Sequence, residues 1–120
     1  MARILLADDD KGTRDLVRRA LEMDGHSVVM AEDGNEALVA LTPGGFELLV
    51  ADVQMPGLDG IELAKRAAAL YPTIRLVLMS GYPDVLEKAR GLEADRGARL
   101  LTKPFAIERI RAEVRAALGA

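Results

Sequence analysis

The sequence predicts a doubly wound α/β domain on a five-stranded parallel sheet with five helices, and three observations carry that reading. Short aliphatic runs alternate five times with stretches whose apolar residues recur at helical spacing. The runs are apolar at consecutive positions, as in Leu48-Leu49-Val50-Ala51, which is the pattern of strands covered on both faces. Four of them stop at residues with chemistry to offer: Asp8-Asp9, Asp52, Ser80 and Lys103. The carboxyl ends of parallel strands are where open α/β sheets bind ligands. Right-handed crossovers with one reversal give the strand order 2-1-3-4-5, with helices on both faces.

Each element has its own signal. Arg3 to Ala7 is the first strand, ending on Asp8-Asp9-Asp10, and Gly12-Thr13 opens a helix with Leu16, Val17, Ala20 and Leu21 as its inner positions. Asp24-Gly25 stops that helix, and His26 is expected as a turn residue rather than a ligand, since no second His or Cys completes a metal site. Ser27 to Ala31 is the second strand. Asp33-Gly34-Asn35 caps a helix with Ala37, Leu38 and Leu41 inside, and Thr42-Pro43-Gly44-Gly45 breaks it. Phe46 to Ala51 is the central strand, delivering Asp52. Asp59 with Glu62 three residues later begins a third helix, whose inner face holds Ile61, Ala64, Ala68 and Tyr71 and which Pro72 ends. Ile74 to Met79 is the fourth strand and finishes on Ser80-Gly81. A fourth helix is predicted from Pro83 to about Leu92, and the charged Glu93-Ala94-Asp95-Arg96 between Gly91 and Gly97 is expected to be the least regular part. Ala98 to Thr102 is the fifth strand, and Ile107, Ile110, Val114 and Leu118 mark the last helix.

Composition sets the limits. At 120 residues, residues 1–120 form one domain, and 50% hydrophobic residues with only 3% aromatic give a core of Leu, Val, Ile and Ala. A net charge of −3 and arginines interleaved with glutamates leave no basic footprint, so no direct nucleic acid partner is expected. Without cysteine there is neither a disulfide framework nor a thiolate metal site. The apolar run Ile4–Ala7 is far short of the roughly 7–15 residues of a signal peptide, so a cytoplasmic protein with no membrane partner is expected.

In a parallel sheet of the proposed order, Asp8, Asp9, Asp52, Ser80 and Lys103 share one rim. Clustered carboxylates repel one another unless a cation sits among them. An all-oxygen set favours Mg²⁺, with Mn²⁺ as the alternative, in an open site that accepts a phosphate oxygen. A carboxylate beside such an ion, with a hydroxyl and an ammonium at hand, is equipped to receive a phosphoryl group.

These residues give the chain a resemblance, from end to end, to CheY-like response-regulator receiver domains, which have the flavodoxin-like fold. The resemblance rests on Asp8-Asp9, on Asp52-x-x-Met55-Pro56-x-x-Asp59-Gly60, on Ser80-Gly81 and on Lys103-Pro104-Phe105, in order and at receiver spacing. It implies that Asp52 is the phosphoacceptor, that Asp9, Asp52 and the Gln54 backbone carbonyl ligate Mg²⁺, and that Asp8 holds a metal-bound water. It further implies that Ser80 and Lys103 bind the phosphoryl oxygens and that the Lys103-Pro104 peptide is cis. Asp10, without such a role, is read as a solvated charge at the helix start.

A phosphoryl donor is implied as the first partner, either a sensor histidine kinase or a histidine phosphotransfer protein. No enzyme activity is expected beyond the chain's own phosphorylation and dephosphorylation. Many receivers carry Tyr or Phe three residues before the lysine; here that position is Leu100. The change on phosphorylation is therefore expected to leave through Gly81-Tyr82-Pro83 into the fourth helix. The opening Met1 to Ala7, the Met79-Ser80-Gly81-Tyr82 turn and the non-aromatic fifth strand look most like the CpdR type of single-domain regulator, an adaptor for the ClpXP protease. With no effector domain after Ala120, output through a protein contact by a monomer or weak dimer is expected. Two rivals remain at this stage: the receiver part of a hybrid histidine kinase, and a Mg²⁺-dependent phosphohydrolase with an aspartate nucleophile. The second places its nucleophile after the first strand and needs a larger domain for substrate. A nucleotide-binding module lacks its glycine-rich loop.

Overall fold

A computed structural model describes residues 1–119. Five strands, β1 (Arg3–Ala7), β2 (Ser27–Ala31), β3 (Leu48–Asp52), β4 (Arg75–Ser80) and β5 (Arg99–Thr102), form one parallel sheet in the order β2-β1-β3-β4-β5. The helices are α1 (Lys11–Met23), α2 (Gly34–Leu41), α3 (Gly60–Leu70), α4 (Pro83–Glu87), α5 (Arg90–Arg96) and α6 (Ile107–Ala117). The doubly wound sheet stands as predicted.

The sheet divides the core in two because successive side chains of a strand point to opposite faces. Leu5, Leu49, Leu76 and Leu78 pack with α2, α3, α4 and α5 on one side, through residues such as Leu41, Leu63, Leu86 and Leu92. Ile4, Leu6, Leu48, Val50, Val77 and Met79 pack on the other side with α1 and α6, through Val17, Leu21, Ile110 and Val114. Every residue of β3 is buried, which is why its sequence runs apolar without alternation.

Register turns sequence position into adjacency. Ala7 pairs with Ala51, Asp52 with Met79 and Ser80 with Thr102, so the strand ends finish within two residues of one another. The residues that follow them stand side by side at strand spacing, about 4.8 Å per strand. The reversal of strand order falls between β1 and β3, which opens the crevice of such a sheet beside Asp8, Asp9 and Asp52.

Several expectations are corrected. The predicted fourth helix is two, making six helices among the described residues rather than five. On one unbroken helix Leu86 and Leu92 would lie about 120° apart; the turn at Lys88-Ala89 lets Leu86, Ala89 and Leu92 all reach the core. The stretch expected to be irregular is helical in α5, where Arg90 pairs with both Glu87 and Glu93 and Gly97 ends the helix in the left-handed region. Leu16 is also not an inner residue: it is exposed, while Arg14 takes a place on the buried face of α1. Ile61 and Tyr71 are half-buried, and Leu63 and Ala67 fill the inner face of α3 beside Ala64 and Ala68.

Candidate functional site

The first acid pair follows β1. Asp8 is fully buried and Asp9 exposed. Asp8 Oδ1 accepts the Asp10 N–H at 2.9 Å, and Asp10 in turn caps α1 by accepting the Thr13 N–H at 2.9 Å. Asp10 is thus the exposed helix-start charge that the sequence suggested, and the two bonds to Thr13, main chain and hydroxyl, hold its carboxyl below the usual range.

Asp52 ends β3 with its Oδ1 accepting the Gln54 N–H at 3.0 Å. Three carboxylates, of Asp8, Asp9 and Asp52, each offer an oxygen, and these atoms lie within 4.8 Å of one another. Lys103 reaches over from the end of β5: its Nζ stands 2.9 Å from Asp8 Oδ2 and 3.1 Å from Asp52 Oδ2. Burial, reinforced by the Asp8 charge, pushes the Asp52 carboxyl above the usual range against the pull of the Gln54 N–H and Lys103. Burial works against the charge of Lys103 as well, but its hydrogen bond to Asp8 and the charges of Asp8 and Asp52 leave its ammonium more basic than usual.

Ser80, the last residue of β4, is fully buried, and its Oγ accepts the Tyr82 N–H at 3.1 Å. The Ser80 carbonyl accepts the Lys103 N–H at 2.8 Å, which ties the two strand ends together. Asp8, Asp9, Asp52 and Lys103 are therefore in one cluster, and Ser80 is at the same rim with its hydroxyl turned to the following loop. Gln54 lies with Asp9, Met55 and Asp59 along a groove on one side of the cluster. On the other side Thr13, Leu16, Tyr82, Pro104 and Phe105 line a largely apolar groove that reaches Lys103. The Lys103-Pro104 peptide is cis.

The donor set suits a hard divalent cation. Three carboxylates carry more negative charge than one ammonium balances, all donors are oxygens, and two of the three acids are held by the backbone of their own loops. His26, expected in a turn, accepts the Ala2 N–H through Nδ1 at 3.0 Å, far along the sheet from this rim. The sequence reading missed Arg14, whose guanidinium donates to the Asp8 carbonyl oxygen at 2.7 Å. Its signal was its place three residues before Val17 and seven before Leu21, on the inner stripe of α1.

The family model of the response regulator receiver domain matches residues 4–115. The response regulator MprA of Mycolicibacterium vanbaalenii is 37% identical over 116 residues, 97% of this chain, and the chain spans about half the length of the curated relatives it matches, 50% in that case. Among solved structures, the receiver domain of NtrX from Brucella abortus superposes with a TM-score of 0.85 at 32% identity, over 98% of each chain. The receiver domain of the hybrid histidine kinase CckA does so with a TM-score of 0.80 at 31% identity, over 97% of this chain and 98% of that one. With the acid cluster, the bridging lysine and the strand order already in view, the chain belongs to the response regulator receiver domain family.

Proposed function

We propose that this receiver domain is a phosphorylation-dependent switch in which Asp52 is the phosphoacceptor. What supports it most is the cluster itself, three carboxylate oxygens within 4.8 Å with Lys103 Nζ 3.1 Å from Asp52 Oδ2. Asp9, Asp52 and the Gln54 carbonyl would hold Mg²⁺, with Asp8 acting through a water. A divalent ion held there would supply positive charge beside the oxygens of the transferring group. An Asp52 oxygen attacks phosphorus, the P–N bond to a donor imidazole breaks as the O–P bond forms, and the imidazole leaves as the neutral base after taking up a proton. Lys103, already 3.1 Å from Asp52, moves its ammonium onto the phosphoryl group, and Ser80 exchanges the Tyr82 N–H for a phosphoryl oxygen.

The donor is a histidine kinase or phosphotransfer protein, whose surface covers the apolar groove of Leu16, Tyr82, Pro104 and Phe105 beside Lys103. Among the described residues no helix is long and apolar enough to cross a membrane. The finer reading, a CpdR-like adaptor for ClpXP, rests on the opening segment, the Met79-Ser80-Gly81-Tyr82 turn and the non-aromatic fifth strand. Binding of ClpX to the unmodified chain and not to its beryllofluoride complex is the expected result; equal binding or none removes the adaptor role.

The phosphoacceptor is tested by intact mass after acetyl phosphate treatment in Mg²⁺. Wild type gains one phosphoryl group, and Asp52→Asn and wild type in excess chelator do not. Equal phosphorylation of both proteins in Mg²⁺ would overturn the assignment.

A further inference from the structure

Arg14 is a charged side chain that the switch as described does not use, yet it is only 8% exposed. Burying a guanidinium costs free energy unless its donors are satisfied, so its partners show what it does. One amino group donates to the carbonyl oxygen of Asp8 at 2.7 Å, and the other lies 3.7 Å from Glu32 Oε1 at the end of β2. The Asp8 carbonyl belongs to the peptide unit that leads into Asp9. The next unit, between Asp9 and Asp10, is held from its other end by the Asp10 N–H on Asp8 Oδ1 at 2.9 Å. Both peptides flanking Asp9 are therefore pinned. Asp9 itself is exposed, and among the described residues its carboxylate has no hydrogen bond or ion pair of its own.

We propose that Arg14 is a positioning residue for the metal site: by holding the Asp8–Asp9 peptide it aims the otherwise unsupported Asp9 carboxylate at the space shared with Asp8 and Asp52. This inference rests on the reading of Asp9 as a Mg²⁺ ligand. Groups that orient a ligand without touching the ion commonly change metal affinity about 10- to 100-fold when removed.

Two opposed effects make the role testable by sign. Arg14 is a cation near a cation site, so if only its charge mattered, Arg14→Met would raise Mg²⁺ affinity. If its role were only to pack α1, the variant would melt at lower temperature and the folded fraction would bind Mg²⁺ as wild type does. Positioning predicts the reverse of the first, a loss of about tenfold or more in Mg²⁺ affinity. The experiment is a calorimetric Mg²⁺ titration of wild type, Arg14→Met and Arg14→Lys well below their melting temperatures. It is paired with backbone amide relaxation of the metal-free proteins, in which Asp9 and Asp10 are expected to lose order in both variants. Arg14→Lys retains the charge with a single shorter donor and is expected to lose affinity less than Arg14→Met; if Arg14→Met does not fold, Arg14→Lys alone decides. Unchanged or raised affinity in a folded variant, with wild type binding normally, overturns the role of Arg14 and leaves the Mg²⁺ site standing. Absence of Mg²⁺ binding by wild type overturns both.

Discussion

The rim at Asp8 and Asp52 leads into α1 and α3, helices of 13 and 11 residues whose first turns are capped by Asp10 and Asp59; the rim at Ser80 runs into α4 and α5, five and seven residues long and without a side-chain cap. Asp8 and Asp52 each hold a backbone N–H of their own loop, and Arg14 braces the first of these loops from below. Past Ser80 the chain is exposed from Gly81 to Asp84, and most side chains of α5 face solvent. The stiff half holds charge where it would otherwise repel itself. The soft half has few buried contacts and is the part that a change at Ser80 can shift at low cost.

The contrast can be broken first at Gly60. A Cβ there would run into the carbonyl of Asp52, which is main chain and cannot yield. Gly60→Ala is expected to destabilise the fold by about 3 kcal/mol, read by denaturant melts; a loss under about 1 kcal/mol would show that the stiff half is not stiff. Next comes Lys103→Ala. Its ammonium offsets only part of the charge of Asp8 and Asp52, so Mg²⁺ affinity is expected to stay within about tenfold of wild type while the structural response to beryllofluoride is lost. In wild type that response, followed by amide shifts, should cover residues 81–96. Shifts confined to Asp52 and its own loop would place the soft half elsewhere.

A smaller effect of opposite sign is expected at Gly91, within α5, where an added Cβ meets nothing within 4 Å. Gly91→Ala should stabilise by about 0.5–1 kcal/mol through lost freedom of the unfolded chain. It should also reduce the amplitude of the shifts over 81–96. The smallest effect lies at the other end of the molecule. Arg111 from α6 donates to Asp24 at the end of α1, with Nε 3.1 Å from both carboxylate oxygens, and holds that carboxyl below its usual pKa. A depressed carboxyl contributes stability above its unfolded pKa, about 3.9, and the contribution disappears as pH falls through the folded value. Asp24→Asn should therefore flatten the stability curve slightly below about pH 4 and leave the amide shifts untouched. An unaltered acid limb would remove Asp24 from the account.

The sheet and its rim were legible because consecutive apolar residues bounded by Asp, Ser or Lys fit little besides a buried parallel strand with a polar end. Asp8, Asp52 and Lys103 could be placed together once the strand order was fixed, since the strands end within two residues of one another. Arg14 was not legible in that way: a charged residue among charged neighbours reads as solvent-facing until the carbonyl it serves is in view. The break at Lys88-Ala89 escaped for a different reason. Val85, Leu86, Ala89 and Leu92 fit one helical stripe tolerably, and only the shape of the core under them shows that Leu86 and Leu92 cannot share it without a turn between. Glu93 to Arg96 looked irregular from composition, but its ion pairs with Arg90 and its terminal Gly97 are local features that suffice for a short helix.

The sheet itself has a consequence for how such a chain can vary. Among the described residues none belongs to both core clusters, so the layer under α4 and α5 and the layer under α1 and α6 meet through the backbone of the sheet. Substitutions in separate contact networks combine close to additively. Drift at Leu86 or Leu92 therefore draws on the total stability without constraining what is acceptable at Val17 or Ile110. One face of the molecule is free to acquire a new recognition surface while the face opposite keeps its own, and the two histories need not be correlated.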